Sequence, residues 1–245
     1  SNVTRLAFVS SGGVPPLLAL ASRSANQSRA GGPSGVVGGS GTGSGTGSGT
    51  ASGTGSSRRA LSHAPLRREV LRAISQLSSS SSSSSPHSDA LYRAGALRVL
   101  LEIVEIAHSE NDEKSLRHAA CALGALTALP EVQLEISRLG AVPVLVRLSR
   151  SRDADTQRHA ARAIGNLAGN ASCQKEIGRA GGLRPLIKCG YSRSAEMQEL
   201  VVRAVANLAL EPEINMVLEA EGGRQLLITM LRSKVPEVVH WAHVA

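Results

Sequence analysis

The chain has 245 residues, a formal net charge of +8, and only 2% aromatic residues. Its three scattered cysteines form no CxxC pair and no metal-ligand spacing, which excludes a disulfide framework and suits reduced thiols in the cytoplasm or nucleus. No stretch of about twenty apolar residues is present to span a membrane, and the basic excess is uneven, +7 over residues 1–95 and +1 over residues 96–245.

In chain order, a short phrase recurs. Gly12–Leu17 reads GGVPPL, Gly95–Leu100 GALRVL, Gly140–Leu145 GAVPVL, Gly181–Leu186 GGLRPL and Gly222–Leu227 GGRQLL. The last three intervals between the leading glycines are 45, 41 and 41 residues. A period in the low forties marks a stack of helical units, each burying its apolar face only against its neighbours.

Residues 1–24 read as the first two helices of a first repeat. Residues 25–63 are rich in Gly, Ser and Thr and are expected to form a disordered insertion, a solvated coil of low complexity. Residues 64–85 hold that repeat's third helix and a serine tract. The second repeat spans 86–130, the third 131–170, the fourth 171–211, and a truncated fifth 212–245. The array stops inside a third helix and reads as part of a longer protein.

The third repeat is the cleanest. Val132, Leu134, Ile136 and Leu139 lie on a first short helix, which ends at Gly140 because glycine accepts the backbone angles of a helix stop. Ala141–Leu148 is a second helix with Pro143 in its first turn, where a missing N–H does no harm. Asp153 or Asp155 caps a third helix running to about Ala168. There Ala160, Ala163, Ile164 and Leu167 form a buried stripe at i, i+3, i+4, i+7. The same register holds His118–Leu126, His159–Leu167 and Leu200–Leu208, each 41 residues apart, and Glu69–Leu77 matches them beyond the insertion.

Gly140-Ala-Val-Pro-Val-Leu145 with Ala163-Ile-Gly-Asn-Leu167, and Gly181-Gly-Leu-Arg-Pro-Leu186 with Ala204-Val-Ala-Asn-Leu208, resemble the armadillo repeat. The resemblance implies an all-α, right-handed α-solenoid of four repeats and part of a fifth, with β-catenin as the type of protein. It also implies that the third helices line a concave groove used for partner binding. Positions seven and four before the Asn column lie within about 40° of it on a helix. That face reads Glu69, Arg72 and Gln76, then His118, Cys121 and Ala125. It continues with His159, Arg162 and Asn166, then Leu200, Arg203 and Asn207, and ends on Trp241 and Val244. Arg68, Arg117, Arg158 and Glu199 flank it.

Asparagine both donates and accepts hydrogen bonds to a peptide backbone, and arginine binds carboxylate or phosphate in bidentate fashion. Arg72, Gln76, Arg158, His159, Arg162, Asn166, Arg203 and Asn207 are therefore the expected partner-binding residues. The expected partner is an extended acidic or phosphorylated protein segment. Importin-α-like capture of basic cargo fits less well, since arginine replaces the tryptophan that this relative carries four residues before its Asn. Nucleic acid is disfavoured by the shortage of stacking aromatics. No phosphate-loop, nucleophile-elbow or zinc-protease motif occurs, so no catalytic, cofactor or metal site is expected. The resemblance leaves one alternative: a regulatory or targeting domain of a larger ubiquitin ligase, kinesin or NAD-cleaving enzyme. No oligomeric state follows from it.

Overall fold

Apolar side chains at three- and four-residue spacing need a partner surface, and stacking the units supplies it. The computed structural model describes residues 7–9, 11–30, 64–78 and 86–245. After a helical turn at residues 7–9 come α1 (Val14–Ala30) and α2 (Ala64–Ser78) of the first repeat. The second repeat is α3 (Pro86–Arg93), α4 (Ala96–Ser109) and α5 (Glu113–Leu126). The third is α6 (Pro130–Arg138), α7 (Val142–Leu148) and α8 (Ala154–Leu167). The fourth is α9 (Ala171–Arg179), α10 (Leu183–Gly190) and α11 (Ala195–Ala209), followed by α12 (Pro212–Ala220), α13 (Gly223–Met230) and α14 (Pro236–Val244). No strand occurs among the described residues.

The third helices pack in sequence, α2 on α5, α5 on α8, α8 on α11 and α11 on α14. One apolar core runs through them, with Leu71, Ile74, Leu123, Leu126, Ile164, Leu167, Val205 and Leu208 fully buried. The five glycines that open the recurring phrase all have positive φ, from 59° at Gly140 to 92° at Gly222. A side chain is strained in that conformation, so the phrase is the corner between first and second helices. Small residues recur where third helices cross. A methyl at Gly124 would lie 2.9 Å from the main-chain oxygen of His159, and one at Gly165 would lie 2.6 Å from Leu200 Cδ2.

Several expectations change in detail. Residues 25–30 belong to α1 and not to the Gly/Ser/Thr insertion, because the first glycine of that stretch is Gly31. α1 is anchored by buried Val14, Leu18 and Ala21, and Ser24 Oγ donates to Ala21 O at 2.7 Å. The rest of the insertion, 31–63, and the serines at 79–85 lie outside the described residues. On α6 only Val132 and Ile136 are buried, while Leu134 and Leu139 are exposed. The cap of α8 is Asp153, not Asp155.

Candidate functional site on the third-helix face

The third helices α5, α8 and α11 begin where a side chain takes over the helix's first free N–H groups. Asp112 accepts from Ser115 N at 3.3 Å, Asp153 from Thr156 N at 2.8 Å, and Ser194 from Met197 N at 3.4 Å. The turns before α8 and α11 are built alike. Ser151 Oγ accepts from Asp153 N at 3.1 Å, as Ser192 Oγ does from Ser194 N at 3.3 Å. Gln157 Nε2 donates to Ser151 O at 2.6 Å, as Gln198 Nε2 does to Ser192 O at 2.8 Å.

These caps also tie one repeat to the next. Arg68 Nε donates to Asp112 Oδ1 at 2.8 Å, and Arg117 Nε to Asp153 Oδ2 at 3.0 Å, with a second bond from Arg117 Nη2 to Asp153 Oδ1. The first of these junctions is reinforced by Arg67, whose side chain is fully buried. It donates to Asp112 Oδ2 at 2.9 Å, to Ser115 Oγ at 3.3 Å and to Glu110. Burial pushes the Asp112 carboxyl up, but hydrogen bonds from Ser115, Arg67 and Arg68 outweigh it and hold it at about 2. Asp153 is likewise held at about 2, chiefly by its hydrogen bonds from Arg117.

At the third junction the pattern changes. Arg158 occupies the column of Arg68 and Arg117, but the cap opposite it is Ser194. Arg158 turns instead to Asp155 on its own helix, at 2.9 Å. A cavity of about 290 Å³ opens at this point, lined by Arg158, His159, Arg162, Ser194, Glu196, Met197 and Leu200. Arg162 faces Glu196 at 4.0 Å, and Glu196 is 80% exposed. Burial and the neighbouring Arg158 push His159 below the ordinary histidine range, so the ring is neutral near pH 7.

The structure brings Arg158, His159 and Arg162 together in this cavity, while Arg203 and Asn207 lie half-buried on the adjoining helix α11. Neither the Arg203 nor the Asn207 side chain has a hydrogen-bond or ion-pair partner among the described residues. Arg72 and Gln76 are exposed on α2, two third helices away, and Arg72 Nη2 donates to Glu69 Oε2 at 2.8 Å. The face is therefore not a bare strip of positive charge, since Arg72, Arg158 and Arg162 each meet a carboxylate of the array. Asn166 also turns inward: Nδ2 donates to Gly124 O at 3.3 Å and Thr127 Oγ1 at 3.2 Å. Leu200 is buried against Gly165 and forms cavity wall rather than open groove.

The buried Arg67 was missed by sequence reasoning, although Ala64, Arg67, Leu71 and Ile74 share the buried stripe of α2. An arginine in such a stripe demands buried carboxylates. A second cavity, about 470 Å³, lies near Arg150, Arg184, Lys188 and Glu221. Its arginines are engaged, Arg150 with the carbonyls of Ala180 and Gly181 at 3.3 and 3.0 Å, and Arg184 with Glu221 at 3.6 Å. No group of three potential metal ligands occurs among the described residues. None of their helices is singly long and apolar enough to cross a membrane.

Stacked three-helix units with glycine corners define an all-α solenoid. Residues 130–169 match the armadillo/beta-catenin-like repeat family. The crystal structure of an engineered protein is similar at 30% identity and TM-score 0.61, over 74% of this chain and 71% of that one. Computationally designed armadillo repeat proteins for modular peptide recognition are similar at 29% identity and TM-score 0.60, over 72% of this chain and 73% of theirs. A designed armadillo repeat protein in complex with the peptide (KR)4 shares the fold at 22% identity and TM-score 0.64, over 100% of this chain and 84% of that one. No curated protein matches by sequence. The chain belongs to the armadillo repeat proteins.

Proposed function

We propose that the chain is a non-catalytic protein-interaction scaffold that takes an extended acidic or phosphorylated segment on its third-helix face. The observation that carries this reading is the cavity holding Arg158 and Arg162, with Arg203 and Asn207, unpartnered among the described residues, on the adjoining helix. Guanidinium groups on a partly desolvated surface favour planar oxyanions, and Asn207 can pair with a peptide backbone. Designed relatives made for peptide recognition support an extended peptide as the ligand. One of them is seen with the basic peptide (KR)4, but here Arg72, Arg162 and Arg203 would set like charges against such a peptide. The free cysteines fit work in a reducing cytosolic or nuclear compartment.

The test is fluorescence anisotropy with two labelled extended peptides of equal length, one alternating glutamate and threonine, the other lysine and threonine. The acidic peptide binds the wild type and the basic one does not. Arg162→Glu with Arg203→Glu lowers affinity for the acidic peptide at least tenfold while circular dichroism and melting stay unchanged. Equal binding by wild type and double mutant, or tighter binding of the basic peptide, removes the reading.

A further inference from the structure

We infer that the cavity between α8 and α11 is a receptor for one oxyanion group, carboxylate or phosphate, borne by the bound segment. This rests on the scaffold reading above and names the position at which such a segment is recognised.

The array itself shows which chemistry the position accepts. Arg117 and Asp153 stand 36 residues apart, as do Arg158 and Ser194. The turns that present Asp153 and Ser194 are closed by the same pair of serine and glutamine hydrogen bonds. Backbone geometry is thus repeated, and a carboxylate at the cap has been exchanged for a hydroxyl. Ser194 still caps its helix but carries no charge and makes no bond to Arg158. In two repeats, then, a carboxylate fills the place opposite this arginine column, and in the third a neutral side chain borders a cavity large enough for an incoming one.

The neighbouring charges allow the exchange. Asp155, which holds Arg158, also lies 3.9 Å from Arg117 and keeps that cation when Arg158 swings toward a ligand. Glu196 approaches Arg162 only to 4.0 Å and is 80% exposed, so it is loosely held and readily displaced. An oxyanion between Arg158 and Arg162 gains two guanidinium partners, each able to bind it in bidentate fashion. The second-junction rung shows the distances to expect, 3.0 Å from Arg Nε to a carboxylate oxygen.

Ser194→Asp tests the assignment because it supplies the carboxylate from within the chain. Asp at a helix cap is well tolerated, so the variant melts no lower than the wild type. Two probes are used. Inorganic phosphate is titrated while the NMR signals of the Arg158 and Arg162 Nε–H groups are followed. In parallel, a labelled extended peptide with a single central glutamate, phosphoserine or glutamine is bound to the wild type, Ser194→Asp and Ser194→Asn. Phosphate shifts both arginine signals saturably in the wild type and in Ser194→Asn, but not in Ser194→Asp. Glutamate and phosphoserine peptides bind at least tenfold better than the glutamine peptide, and Ser194→Asp abolishes that difference. Arginine signals that ignore phosphate, or full affinity of Ser194→Asp for the glutamate peptide, overturn the inference. If phosphate moves the arginine signals but no peptide binds, the receptor stands and the scaffold reading falls.

Discussion

At the junctions α2–α5 and α5–α8, a guanidinium of one repeat is tied to the carboxylate that caps the next third helix. At α8–α11 the corresponding guanidinium folds back on its own helix and a cavity lies beside it. The turns at the second and third junctions follow one backbone plan, so the contrast there comes from one cap residue, Asp153 against Ser194. A repeat array can therefore convert a closed joint into an open one without altering its fold.

The sharpest way to break the comparison is at its most closed point. Arg67→Met leaves Glu110 and Asp112 short of their buried cation and is expected to cost about 3 kcal/mol or more. Arg158→Met, at the open junction, is expected to cost less than about 0.5 kcal/mol, because that arginine is 53% exposed and its partner is on its own helix. Urea unfolding of both variants measures the gap, and equal losses would erase the distinction between junctions.

The glycine crossings give the next largest effect. Gly124→Ala presses a methyl to 2.9 Å from main-chain oxygen, which cannot move without shifting α8, so a loss of about 1–3 kcal/mol is expected. Gly165→Ala meets the Leu200 side chain, Cδ2 at 2.6 Å and Cγ at 3.0 Å, with the Leu200 main-chain oxygen at an ordinary contact distance of 3.6 Å. Rotation of Leu200 and the better helix propensity of alanine keep its cost below about 1 kcal/mol. Thermal melting of the pair checks the order.

The smallest effect comes from making the second junction a copy of the third. Asp153→Ser is expected to cost about 1 kcal/mol, since Arg117 remains 45% exposed and water screens the pair. The sign with pH follows from carboxyls held at about 2 against 3.8 when unpaired. A depressed carboxyl stabilises the fold above its unfolded value, and that contribution is lost as pH falls from about 4 to about 2. For the buried Asp112 the shift is worth about 2 kcal/mol. Wild-type stability should decline across that window, and Asp153→Ser should decline less steeply. Identical slopes would show that Asp153 contributes no such linkage.

The repeat register was legible from the chain because the corner glycines and the alanine-rich stripes obey local rules that survive stacking. The site was legible only in part. The column Arg68, Arg117, Arg158 was visible in sequence, and the cap was narrowed there to Asp153 or Asp155. Their pairing was not, since it joins residues 36 or 44 positions apart across a repeat boundary. Helical periodicity placed Leu200 beside Arg203 on an open face, but the small Gly165 opposite let it sink into the joint. The partners of Arg72, Arg158 and Arg162 depend on rotamers, which spacing does not determine.

Asn166 binds the preceding third helix with both of its donor bonds. Asn207 is thus the one asparagine of its column left to hold a visiting main chain. On the proposed reading, a strand on this face would be fastened by the Asn207 amide and otherwise by its charges. Contacts of that kind weaken as ionic strength rises and shortens the range of the charges. They also tolerate altered spacing on either side of the fastening point. If the proposed oxyanion receptor holds, the position of one negative charge sets the register of a bound segment more than its neutral flanking residues do.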